Sequence, residues 1–185
     1  RALRPIRAGR CGMTIQSAQS ALDIEQFRAV MRRTASAVGV LATAGPAGRV
    51  GITVSSLSSL SFEPASVICC VHRQSKALGV LLQNGVFTAN FLSTGQSIVA
   101  DVFAGLVPEY REKRFDVGMW APIVTGAPAL MDSLCSFDCN VAKTFEFGTH
   151  TIIAGEVLAL QTGSDNPLIF SNRTYHKLEA VCLRA

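Results

Sequence analysis

Charge is scarce in this chain. Only 16% of its 185 residues are charged, 17 basic and 13 acidic. Four of the basic ones, Arg1, Arg4, Arg7 and Arg10, fall in the first twelve positions, where no acid occurs. Without them the two signs balance, and the body of the chain is formally neutral. That argues against nucleic acid as a partner, because such binding rests on a basic face that displaces counterions. Long apolar runs are missing as well. The composition is 49% hydrophobic, yet no stretch approaches the roughly 18–20 apolar residues that a membrane-spanning helix needs. No membrane partner is expected. A large core plus a subunit interface accounts for the apolar surplus, and a homodimer is the expectation.

Cys-x-x-Cys is absent. The six cysteines are Cys11, Cys69, Cys70, Cys135, Cys139 and Cys182, and none has zinc-ligand spacing. Cys69 and Cys70 sit side by side on an expected strand and so point to opposite faces. They read as small buried hydrophobes in a reducing cytoplasm, with no metal expected. Catalytic signatures are missing too. There is no Gly-x-Ser-x-Gly, no phosphate loop and no Gly-x-Gly-x-x-Gly, and His72, His150 and His176 are far apart. A chain so short of acid–base motifs is better suited to a cofactor that carries the chemistry.

What is present is a run of hydroxyls. Six of the nine residues from Thr53 to Ser61 are Ser or Thr. Inside a core each unpaired hydroxyl would cost roughly 1–3 kcal/mol. Two readings fit: an ordinary polar loop with Ser-turns, or a wall of donors for phosphate oxygens and a heteroaromatic edge.

The periodicities give a mainly β chain. Asp23 caps a helix bearing Ile24, Phe27, Val30 and Met31 on one face. Strands are expected at 37–44 and 50–56, turned by Gly45-Pro46-Ala47-Gly48. Further strands are expected at 66–72, 86–92 and 168–170, and a long hairpin pairs 131–144 with 149–162 around 145–148. Helices are expected from Ser75 to Leu82 and from Thr94 to Phe103. The charged run 109–114 reads as an exposed loop or short helix. Many strands and few helices suggest a closed Greek-key barrel with peripheral helices. Residues 1–20 form an expected basic, disordered leader, and 21–180 one domain. The leader lacks the apolar segment of a secretory signal.

Three further clusters carry polar chemistry. Arg73 and Ser75 lie at a strand end and a helix start, a suitable anion site. Gly148-Thr149-His150 places an imidazole beside a turn. Asn172-Arg173-Thr174-Tyr175-His176 gathers groups suited to stacking on a nucleotide.

In order, these pieces resemble the flavin reductase-like family, the short-chain NAD(P)H:flavin oxidoreductases that serve two-component monooxygenases. The resemblance runs from about Ile24 to Leu178. It is carried by Phe27–Gly39, Gly51–Pro64, Arg73-Gln74-Ser75, Phe87–Leu92, Arg114-Phe115, Trp120, Gly126-Ala127-Pro128, Gly148-Thr149-His150 and Tyr175–Leu178. It implies a split β-barrel that binds FMN or FAD, as a homodimer. It also implies hydride transfer from NADH or NADPH to that flavin, and a separate monooxygenase as partner. By resemblance Thr53, Val54, Ser55, Ser56, Ser58, Ser59, Leu60 and Ser61 contact the flavin, together with Asn90. Arg73 and Ser75 match phosphate-side contacts, His150 the active-site histidine that orients the nicotinamide nucleotide, and Tyr175 a segment closing that side. Two positions depart from the family pattern. Ala65 follows Pro64 where a second proline is common. Thr149 replaces an acidic residue before His150, which removes an orienting partner of the imidazole. Alternative readings are a flavin-containing reductase of a corrinoid or metal centre, or an electron-carrier module with little turnover.

Overall fold

A computed structural model describes residues 22–163 and 165–180. The expected leader, Cys11 and Cys182 lie outside them. The chain divides into an N-terminal unit ending at Met31 and a main unit from Arg32 onward. The first contains α1 (Ile24–Met31), whose start is capped as expected: the Glu25 N–H donates to Asp23 Oδ1 at 2.9 Å.

Among the described residues the main unit has twelve strands and two α-helices. In chain order they are β1 (Ser36–Ala37), β2 (Gly39–Gly45), β3 (Gly48–Val54), β4 (Ser58–Phe62), β5 (Ala65–His72), α2 (Lys76–Asn84), β6 (Val86–Phe91), α3 (Ser97–Ala104), β7 (Trp120–Pro122), β8 (Pro128–Leu130), β9 (Cys135–Phe147), β10 (His150–Thr162), β11 (Ile169–Ser171) and β12 (Thr174–His176). Seven of the strands form one antiparallel sheet in the order β3-β2-β6-β9-β10-β5-β4. The sequence suggests a closed barrel; the ladder instead stays open between β3 and β4, its two edges. Ser55, Ser56 and Leu57 join those edges covalently, so the barrel is split where the hydroxyl run lies.

Local chemistry explains most boundaries. Gly48, at φ 114°, closes the β2–β3 turn, and Asn84 buttresses it by accepting the Ala47 N–H at 3.0 Å. Gly85, in the left-handed region at φ 71°, ends α2. The long hairpin turns later than expected. β9 continues through Phe147, and Gly148-Thr149 make the turn. The helix expected from Thr94 begins at Ser97, because Thr94 and Gly95 form a turn first. The charged run is short 3-10 turns at Pro108–Tyr110 and Arg114–Asp116. The segment 58–62 is the largest departure. It is a strand exposed along its whole length, so its hydroxyls meet solvent and no core burial has to be compensated.

One core cluster gathers Leu41, Cys69, Val71, Phe87 and Ile153 from the sheet; a second packs α3 through Val102 and Phe103 against Val40, Leu92 and Leu130. The cysteines behave as small hydrophobes. Burial pushes the Cys69 and Cys139 thiols up to about 12. Their ordinary value is 9.0, so the unfolded chain loses these protons first as pH rises. Their contribution to stability is therefore complete below about pH 9 and is lost towards pH 12. The melting temperature should fall between pH 9 and 11, and a Cys69→Ala/Cys139→Ala variant should show a flatter alkaline limb.

Candidate functional site

The split in the barrel opens a cleft. It is lined by residues 52–56 from the end of β3 and its following link, by Cys70, Val71 and His72 at the end of β5, and by His150 at the start of β10; its volume is about 290 Å³. β3 pairs only with β2, so the outward backbone groups of this edge strand have no ladder partner. The Ser56 hydroxyl ties the link to β5: it donates to Cys70 O and accepts the Cys70 N–H, both at 3.0 Å. Ser55 is exposed beside it.

Two imidazoles form one wall. Antiparallel register sets His72 opposite His150. Their ring centroids are 5.2 Å apart with planes at 80°, an edge-to-face pair. The Gln74 N–H donates to His72 Nδ1 at 3.2 Å, which leaves the neutral ring's proton on Nε2. Thr149 Oγ1 lies 2.9 Å from His150 Nδ1. The sequence suggests that Thr149 deprives this imidazole of an orienting partner; the hydroxyl in fact supplies one.

A second, smaller cavity of about 200 Å³ adjoins the same strand on its Tyr175 side, lined by Val38, Thr53, Val54, Ser55, Phe170 and Tyr175 among others. The Tyr175 hydroxyl donates to Asp101 Oδ1 at 2.7 Å. Burial first, and then this bond, push its phenol well above the usual range.

Thr53 and Val54 line the cleft, with the Thr53 hydroxyl donated to Ala100 O at 2.7 Å and Val54 largely buried. Other expected site residues are placed differently. Ser58, Ser59, Leu60 and Ser61 lie on the exposed edge strand β4. Arg73 pairs through Nη2 with Glu146 at 3.1 Å, both side chains half exposed, so its guanidinium is anchored to the β9–β10 hairpin. Ser75 stands at the N-cap of α2 without a side-chain capping bond, leaving its hydroxyl available. Asn90 is fully buried and saturated. It donates to Val40 O at 2.9 Å and accepts the Leu130 N–H at 2.8 Å and the Ser136 hydroxyl at 2.6 Å.

His72 is the cleft residue whose role the sequence does not disclose. Only the β5–β10 register sets it against His150.

The family model described as "Flavin reductase like domain" matches residues 31–179. The FMN reductase (NADH) RutF 1 of Methylorubrum extorquens is 38% identical over 164 residues, covering 88% of this chain and 81% of that protein. Among solved structures, the NADH:FAD oxidoreductase SgcE6 of Streptomyces globisporus, in complex with NAD and FAD fragments, matches with a TM-score of 0.78 at 26% identity over 85% of this chain and 93% of that one. BorF, the flavin reductase component of a bacterial two-component tryptophan halogenase, matches with a TM-score of 0.77 at 26% identity over 86% and 100%.

Proposed function

Because the chain belongs to the flavin reductase-like family, we propose that it transfers hydride from NADH to FMN or FAD held in the cleft at the barrel split. The observation that carries this reading is the cleft itself: an open strand edge, the exposed Ser55 hydroxyl and a pair of imidazoles around a single cavity. This donor set suits a flat heteroaromatic ring. Unpaired backbone groups of β3 meet its polar edge, and Ser55 reaches its periphery. A flavin, when bound, supplies a hydride acceptor, so the protein needs no general acid for the transfer itself.

The chain's own residues bind and orient. Ser56 holds the link between β3 and β4 against β5, which fixes the cleft's width. Thr149 sets the plane of His150, and His72 backs it. The two imidazoles form an edge for the nicotinamide side. Ser75 offers a hydroxyl to a phosphate, while Arg73 keeps the β9–β10 hairpin in place through Glu146. Asn90 holds the strands beneath the cleft through buried hydrogen bonds.

We assign the chain a homodimeric state, since the β9–β10 ladder exposes apolar side chains towards both ends, Phe145 and Phe147 at one and Leu158 and Leu160 at the other. We also assign it a cytoplasmic setting and a separate monooxygenase partner, a role like that of the named halogenase component. Among the described residues no helix is long and apolar enough to cross a membrane. A reductase of a corrinoid or metal centre is not favoured, because the relatives are named as flavin reductases.

The test is anaerobic mixing of the purified protein with FMN or FAD and NADH. The flavin's visible absorbance should bleach in a protein-dependent manner, with NADH consumed in equal amount. Uptake of either flavin without consumption of NADH would leave only the electron-carrier reading.

A further inference from the structure

Helix α1 is amphipathic, and none of its eight residues is buried. Ile24, Phe27 and Val30 form one stripe and are 58%, 50% and 60% exposed. The polar side is complete in itself, because Arg28 pairs with Glu25 one turn away. A helix this short does not hold in water alone. Lengths below about 12–15 residues are marginal, and helices in proteins owe most of their stability to a packed apolar face. The stripe of α1 therefore needs a surface to lie on.

The seven-stranded sheet has an uncovered apolar surface of its own. Phe145 and Phe147 are two apart on β9 and so share one face. They are 63% and 74% exposed. Glu146 between them belongs to the other face, where it pairs with Arg73. The antiparallel register sets Ile152 opposite Phe145 and His150 opposite Phe147. Cross-strand partners share a face, so this apolar surface runs directly up to the imidazole that lines the cleft.

All five apolar side chains, three on α1 and two on the hairpin, remain exposed within a single copy. Two copies related by a two-fold axis cover both surfaces with one kind of contact, made twice. Helix against sheet is a stable layer packing. The spacing agrees as well: residues two apart on a strand are separated by roughly 7 Å, close to the roughly 5–6 Å between residues three apart on a helix.

We propose that α1 is an exchanged arm. In the homodimer the helix of each copy lies across the β9–β10 hairpin of the other, with its stripe on Phe145 and Phe147. The occupant of this face is thus a second copy of the chain. Because Phe147 stands beside His150, the incoming arm forms the rim of the cleft at that end, and each cleft is complete only in the pair. The inference rests on the homodimer reading and adds to it the segment that crosses over.

The experiment uses the full chain. A Phe27→Cys chain and a tagged Phe147→Cys chain are mixed and treated with a short bis-maleimide. A covalent species of the summed mass should form, well above the level that the native pair gives through its own cysteines. Sedimentation then reads the two double variants Phe27→Asp/Val30→Asp and Phe145→Ser/Phe147→Ser. Each should raise the dimer's dissociation constant about tenfold or more, the scale of losing one or two buried apolar anchors. Circular dichroism should keep its strand signal in both, since the substituted side chains lie outside the core. A native chain that sediments as a monomer overturns the homodimer reading and this inference with it. A native dimer whose affinity survives both double variants, or whose cross-link forms only when the two cysteines share one chain, overturns the arm exchange and leaves the homodimer in place.

Discussion

Replacing Asp138 by alanine should lower the unfolding free energy by about 3 kcal/mol, the scale set by stripping a buried carboxylate from its donors. Asp138 is fully buried on β9. Its Oδ2 accepts the Val124 and Thr125 N–H groups at 2.7 and 2.8 Å, and Oδ1 accepts the Thr125 hydroxyl. Thr125 Oγ1 in turn accepts the Ala127 N–H at 3.2 Å. One side chain thus pins the loop that leads into β8, whose Pro128 carbonyl accepts the Thr88 hydroxyl at 2.6 Å. Alanine leaves the Val124 and Thr125 N–H groups without their acceptor at the buried end of a half-exposed loop. Asparagine keeps one carbonyl acceptor but turns an amide towards a donor, so Asp138→Asn should lose a substantial part of the same stability. Guanidinium unfolding of the three proteins would decide it. A loss below about 1 kcal/mol for alanine would mean that water or a shifted loop replaces the carboxylate.

The hairpin of β2 and β3 is legible in the sequence because Gly45-Pro46-Ala47-Gly48 can hardly be anything but a turn. Helix α2 is legible because Asn84-Gly85 stops it. The strand β4 is not, since an edge strand exposed on both faces has no alternation to read. β12 is hidden for a different reason. The two-residue turn before it uses Asn172 and Arg173 at φ 49° and 63°, positions where glycine is the usual signal. The site shows the same division. The hydroxyl run marks the cleft, but its strand-like half turns to solvent and its other half builds the wall. Asn90 is a flavin contact by resemblance alone; the partners that take up its amide, Val40, Leu130 and Ser136, come from distant segments. The aromatic cluster of Phe103, Phe115 and Trp120, which turns a charged run into one side of a cavity, is likewise a product of tertiary packing.

The other large effect expected is functional. His150→Ala should raise KM for NADH by about tenfold while flavin affinity changes by less than about twofold, since one stacked, oriented imidazole is worth on the order of 1 kcal/mol or somewhat more. His150 is exposed at the first residue of β10, so its removal leaves the core intact and the effect is read at the site. The ring's position depends on two neighbours. His72 meets it edge-to-face, and Thr149 bonds its Nδ1. Thr149→Val should therefore produce a smaller rise in the same KM, because it frees the imidazole to rotate without deleting it. A purely structural role for Thr149 would alter stability and leave KM alone. His150→Asn, which retains a short polar group but no ring, separates stacking from hydrogen bonding: recovery of affinity would assign the effect to the hydrogen bond, and failure to recover would assign it to the ring face. Loss of flavin binding in His150→Ala, with nicotinamide affinity preserved, would place the imidazole on the flavin side of the cleft and reverse the proposed order of the two nucleotides.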